Sequence, residues 1–232
     1  MSYPREMRGL AAATLILTAT PVAMADVTGT YVVRYTVTAE DFGGTEVTVN
    51  VADIYLSSDD PADVVLNVFN LNLVDAAQVD YFQSFTGTGW LPTNLGGPFD
   101  TAALRSADSF VTMGGFAAGG MAEQAPGAGS GTGLDPNFGG NNAAYPGNLA
   151  GWYNSSPPSL NGQVIDNDGT LGVLVGRFAY DGEFNLEGSA LEVTWNQGLG
   201  TPGVQAGFIV TPAPGALALL GLAGIAGRRR RG

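Results

Sequence analysis

The chain contains no cysteine, no histidine and no lysine. Without cysteine there is no disulfide framework, no thiolate nucleophile and no thiolate-bound metal, so the fold is held by its apolar core alone. Without histidine, Ser-His-Asp triads and His-based zinc sites are excluded. A phosphate-cradling Gly-x-x-x-x-Gly-Lys-Ser/Thr loop needs a lysine, and that class goes too. Positive charge is scarce altogether: nine arginines stand against 21 acids. Between residues 26 and 210 only Arg34, Arg105 and Arg177 remain against 20 acids, a net of −17. Such a surface repels nucleic acid and anionic headgroups, can attract divalent cations, and keeps a protein soluble outside the cell.

What is present at the two ends is a pair of address labels. Arg5 and Arg8 precede an apolar stretch over 10–19, and Ala23-Met24-Ala25 before Asp26 fits a small-x-small cleavage site. Residues 1–25 therefore read as a helical signal peptide for signal peptidase. At the other end, Pro212 and Pro214 flank Ala213; each proline fixes φ and removes a backbone donor, so no strand runs through them. The uncharged segment 215–227 follows, with Leu217, Leu219, Leu220, Leu222 and Ile225 as its apolar body. As a helix it spans about 20 Å, short for a hydrocarbon core of about 30 Å. Arg228, Arg229, Arg230 and Arg231 form a stop-transfer cluster that stays on the cytoplasmic side.

This order, Pro-Ala-Pro, a Leu/Ala/Gly helix and terminal arginines, resembles the PEP-CTERM sorting signal of bacterial surface proteins. The resemblance covers about the last 22 residues, 211–232, and Ala213 stands where the family carries glutamate. It implies processing after export by a membrane-embedded exosortase-like enzyme. It also implies a Gram-negative-type envelope and association with exopolysaccharide. The bland alternative is a weak membrane anchor.

Between the labels, 26–210 is one domain of ordinary size. Tyr31, Val33, Tyr35 and Val37 alternate with Val32, Arg34, Thr36 and Thr38; a second alternating run over 46–56 predicts a hairpin around Glu40-Asp41-Phe42-Gly43-Gly44. The third run changes phase between Val64-Leu66-Val68 and Phe69-Leu71-Leu73, which predicts a bulge near Val68-Phe69. Further strands are expected over 79–85, 109–113, 171–180, 183–187, 191–195 and 204–210. A helical turn is expected over 75–78 and a short helix over 101–107. Residues 86–161 are rich in Gly, Asn and Pro and read as long ordered loops around one or two short strands. Nine or ten short strands make an all-β fold, a β-sandwich of the jelly-roll or cohesin-like Greek-key kind, with a terminal helix at each end.

Three candidate chemistries follow. Asp166, Asn167 and Asp168 before Gly169 offer oxygens for Ca²⁺, although Arg177 stands where an EF-hand loop places its bidentate glutamate, and an Asx turn is the plain alternative. Asp59, Asp60 and Asp63 are a second candidate cation site. Trp90, Tyr145, Trp152 and Tyr153 could stack on sugars or plug the end of the sandwich, whereas Trp195 belongs to a core strand. Paired carboxylates of a glycoside hydrolase remain open because that mechanism needs neither Cys nor His, but no spacing singles out a pair. The expectation is a non-enzymatic, exported interaction protein, with a carbohydrate- or calcium-dependent adhesion module as the alternative.

Overall fold

The computed structural model describes residues 26–40, 43–83, 89–92, 106–114, 116–118, 121–123, 131–156, 161–167 and 169–211. The expected leader, the tail from Pro212 onward, Asp168 and most of the expected 101–107 helix lie outside the described residues.

Two long strands open the body, β1 (Val27–Glu40) and β2 (Glu46–Ser58). They pair antiparallel as the expected hairpin, with Val37 opposite Val49 and Gly44 in the turn at φ 77°. A corner at 59–63 carries the chain into β3 (Val64–Asn72), and the expected helical turn follows as the 3-10 element η1 (Ala76–Gln78). The glycine-rich middle holds short strands: β4 (Phe110–Val111), β5 (Phe116–Ala118), β6 (Met121–Glu123), β7 (Thr132–Leu134) and β8 (Ala150–Asn154), with the 3-10 turn η2 (Pro136–Phe138). Then come β9 (Ile165–Asn167), β10 (Thr170–Tyr180), β11 (Ala190–Asn196) and β12 (Val204–Ile209).

These strands make two antiparallel sheets with almost no helix. One runs β1-β2-β10, with β9 and β4 sharing the far edge of β10; the other runs β12-β11-β3-β8-β7, and β5 and β6 form a separate ribbon. One apolar cluster joins the sheets, taking Val32, Ile54, Leu56, Val173, Val175 and Phe178 from the first and Val65, Val68, Leu71, Trp152, Val193 and Trp195 from the second.

Bulges reconcile this common core with the changing parity along two strands. In β3 the register breaks between Val68 and Leu71, and Asn70 sits at φ 51°, so Val65, Val68 and Leu71 all face inward. In β10 it breaks between Leu174 and Gly176, so Val173 and Val175 share a face with Phe178 and Tyr180.

The first sheet is buried on both faces. Its far side packs Tyr31, Tyr55, Phe110 and Leu174 together, and beside them Val49, Val51, Ala107 and Ala179. Of the expected strand over 79–85, residues 79–83 are described, and they contribute to this covering rather than to a ladder. Tyr81 makes a single bridge to Tyr180, and Phe82 N–H donates to Ala179 O at 2.8 Å. Residues 183–187 form a corner rather than a strand, because Asn185 Oδ1 accepts from Glu187 N–H at 3.0 Å.

Candidate functional site

A cleft of about 850 Å³ opens between the β1–β2 hairpin, η1 and the corner after β10. Its floor is the outer half of the hairpin, where a period-2 strand turns Thr36 and Asn50 to one side; Thr36 Oγ1 donates to Asn50 Oδ1 at 3.0 Å. Its wall is the 182–185 corner, held by Asn50 Nδ2 to Gly182 O at 2.6 Å and by Tyr180 Oη to Phe184 O at 3.1 Å. Arg34 bridges floor and wall. It donates to Phe184 O at 2.9 Å and to Asn185 Oδ1 at 2.7 Å, with Glu187 at 3.9 Å. The acids that line it, Asp75 and Glu183, are both open to solvent, and Asp75 Oδ1 already accepts from Gln78 Nε2 at 3.1 Å.

A smaller hollow of about 420 Å³ lies across η1 and shares Asp75 and Gln78 with the first. Its far wall carries Tyr145 and Asn148, and Tyr145 is 41 % exposed. Trp90 sets this display. Its indole is fully buried against Phe138 and Phe178, and its Nε1–H donates to Ala143 O at 2.8 Å, two residues before Tyr145. The two hollows form a groove that meets at Asp75 and Gln78, with the exposed Tyr145 ring in the smaller one.

The four candidate stacking rings thus divide. Trp152 is buried like Trp90 and donates from Nε1 to Thr112 O at 3.1 Å, so neither indole offers a face to a sugar. Tyr153 is exposed, but its ring lies across Gly133 of β7, where an added Cβ would meet it at 2.6 Å. Trp195 is in the core, as its strand pattern predicts.

Of the candidate cation ligands, Asp166 accepts from Gly169 N–H at 2.6 Å, closing the β9–β10 turn with Gly169 at φ 86°. Asp59 Oδ1 accepts from Asp26 N–H and Asp60 Oδ1 from Ala62 N–H, at 2.8 and 2.7 Å. Asp63 is fully buried; its Oδ2 meets Ser58 Oγ at 2.7 Å and its Oδ1 has no hydrogen-bond partner. Burial raises the Asp63 pKa, Ser58 opposes the shift, and Asp60, Asp59 and Asp26 add to it. Among the described residues no three acidic side chains converge as a metal cage.

One polar site was not anticipated. On the far face of the first sheet, Arg177 donates from Nε and Nη2 to Asp53 Oδ1 and Oδ2 at 2.7 and 2.9 Å, and both residues are fully buried. Tyr35 Oη donates to the same carboxylate at 3.0 Å, and Phe110 lies 5.3 Å beneath the guanidinium. Burial by itself lowers the Arg177 pKa, but Asp53 more than reverses this and holds the arginine charged. Burial and then the adjacent Asp53 charge push the Tyr35 phenol up. The pair was readable as two opposite charges set inside two long, largely buried strands. Comparison of the chain with family models, curated proteins and solved structures finds no match in any of the three.

Proposed function

We propose that this is an exported, non-enzymatic surface or matrix protein whose tail is cut by an exosortase-like enzyme after signal peptidase has removed residues 1–25. The observation that carries the proposal is the ordered tail of Pro212-Ala213-Pro214, apolar segment and Arg228 to Arg231, joined to an acidic β body. That body is tied down at both expected borders. Asp26 N–H donates to Asp59 Oδ1 at 2.8 Å, and Thr211 O accepts from Val32 N–H at 3.0 Å. The two sheets are read as a Greek-key sandwich, jelly-roll or cohesin-like. The solvent-exposed Asp75 and Glu183 in the main cleft support a binding rather than a catalytic role. Mass spectrometry of the protein from its own host tests the claim. The expected product starts at Asp26 and lacks 215–232; a product that retains 215–232 overturns processing and leaves a plain anchor.

A second reading, a carbohydrate- or calcium-dependent adhesion module, is favoured by the groove that ends at Tyr145. An exposed ring beside Asn, Gln and Asp side chains suits the apolar face and hydroxyls of a sugar. The net charge of −17 favours neutral over anionic glycans. A glycan array run with and without calcium tests it, with Tyr145→Ala expected to weaken any hit. No binding in either condition discards this reading.

A further inference from the structure

The first sheet ends in an edge that nothing in the described chain covers. β1 is its outermost strand, and side chains along its second half alternate between half-buried Val33, Tyr35, Val37 and Ala39 and exposed Arg34, Thr36, Thr38 and Glu40. In an antiparallel ladder each residue sends both backbone groups to the same side. Val32 N–H and Thr30 O point outward, to Thr211 O and Thr211 Oγ1, so the even-numbered residues carry the outward groups. Past Val32 that contact stops. Among the described residues, Arg34, Thr36, Thr38 and Glu40 have no backbone partner on the outer side.

Long edges are normally blunted by proline, by charged side chains, above all lysine, or by a bulge. β12 follows this rule, with Pro202 before it. β1 from Val33 to Glu40 has no proline, lysine or bulge, its two charges are of opposite sign, and its register with β2 is unbroken from Gly29 to Glu40.

We infer that this edge joins a second copy of the chain, β1 against β1 in antiparallel array about a twofold axis through Val37. The occupant and its register follow from the pattern of the four free residues. Reversed onto itself, the set 34-36-38-40 maps fully only about residue 37, pairing Arg34 with Glu40 of the second copy and Thr36 with Thr38. Each such pair exchanges two bonds, so the seam gains about eight backbone hydrogen bonds. A shift of one residue either way leaves free groups unmatched and sets Arg34 or Glu40 against a threonine. The chosen register alone brings the arginine against the glutamate, twice by symmetry, on the exposed face. It also extends the hydroxyl ladder already present inside the hairpin, where Thr38 Oγ1 lies 2.8 Å from Thr48 Oγ1. Arg34 bonds the corner through its terminal nitrogens, and its Nε is used by neither bond. The inference does not depend on the tail or on glycan binding.

The absence of cysteine makes the test direct. On the axis, residue 37 of each copy forms a non-hydrogen-bonded pair with Cα atoms about 4.5 Å apart, within disulfide reach. Residue 39 of each copy is offset by four positions, about 13 Å, beyond that reach. In the full-length chain under mild oxidation, Val37→Cys is expected to form a disulfide-linked dimer and Ala39→Cys to stay without a covalent link. Thr36→Pro, which removes an outward donor and no backbone bond to β2, is expected to abolish cross-linking of Val37→Cys while the variant still unfolds cooperatively, with only the loss of the Thr36–Asn50 side-chain bond. Glu40→Arg is expected to lower cross-linking about tenfold by placing like charges opposite each other. Failure of Val37→Cys to cross-link overturns the proposal. So does Ala39→Cys linking as fast, which would mean a different register or random collision.

Discussion

Asp53 and Asp63 are both fully buried, both lie in or just after β2, and the fold treats them in opposite ways. Asp53 receives two bonds from Arg177 and one from Tyr35, which engages both oxygens. Asp63 has one hydroxyl neighbour and an orphaned Oδ1, and the charges around it are those of Asp26, Asp59 and Asp60. Ser58 has a single proton to give, and Asp60 O at 3.0 Å competes with Asp63 for it. A protonated Asp63 resolves this conflict by donating to Ser58 Oγ, whose proton then goes to Asp60 O. The first carboxylate is paired with a cation; the second sits among like charges, and its pKa is raised. Burial therefore does not set the state of a carboxyl group by itself. At Asp63 burial raises the pKa first, and the like charges of Asp60, Asp59 and Asp26 add to it.

The strongest way to break the contrast is to remove the counterion. Arg177→Met leaves Asp53 charged and enclosed, with an expected loss of about 3 to 5 kcal/mol in urea unfolding. The double variant Asp53→Leu/Arg177→Met removes both charges and is expected to return to within about 1 kcal/mol of the parent. If the single variant costs as little as the double, the pair is wet in solution and the sheet's far face is not sealed.

A smaller effect of opposite sign is expected at Asp63. A carboxyl whose folded pKa is raised binds its proton more tightly when folded. Its contribution is fully present below the unfolded value and is lost as pH rises through the folded one. At pH 7 the parent therefore carries a penalty that Asp63→Asn lacks. The variant is expected to be more stable by about 1 kcal/mol at neutral pH, an advantage that vanishes near pH 3.5. Thermal unfolding at the two pH values measures this directly. An advantage that persists in acid would assign the effect to packing rather than to charge.

How much of this was legible in the sequence depends on the range of the signal. The β1–β2 hairpin and the β3 bulge follow from period-2 alternation, a local property, although the bulge falls on Asn70 rather than on Val68-Phe69. The β10 bulge had the same sign, since Val173 and Val175 differ in parity from Phe178 and Tyr180. That mark lies in the residues and is easily passed over in a fully apolar strand. Less accessible was which face of β1 meets the other sheet. Val32 does, while Tyr31, Val33 and Tyr35 form a second layer whose cover comes from Phe82 and from Ala107 to Phe110, far along the chain. The orientation of Trp90 against Tyr145 was not readable at all, because loops have no periodicity to separate inward from outward. The groove joins residues from the hairpin, η1, the 182–185 corner and the Tyr145 loop, and no local pattern links those four segments.

The smallest effect places a third aspartate on the same scale. Asp166 is exposed and uses Oδ1 to accept from Gly169 N–H, so its geometry matters and its charge does not. Asp166→Asn keeps an equivalent acceptor and is expected to be neutral, whereas Asp166→Ala loses the turn bond and about 0.5 kcal/mol. The two substitutions also separate the turn from the candidate calcium loop. A cation held there would stabilise the parent when calcium is added, and Asn would forfeit that gain along with the charge. A turn bond alone predicts equal melting temperatures for parent and Asn variant with or without calcium. Solvated, hydrogen-bonded Asp166 then stands beside cation-paired Asp53 and enclosed Asp63, whose pKa burial raises, three settings of one carboxyl group.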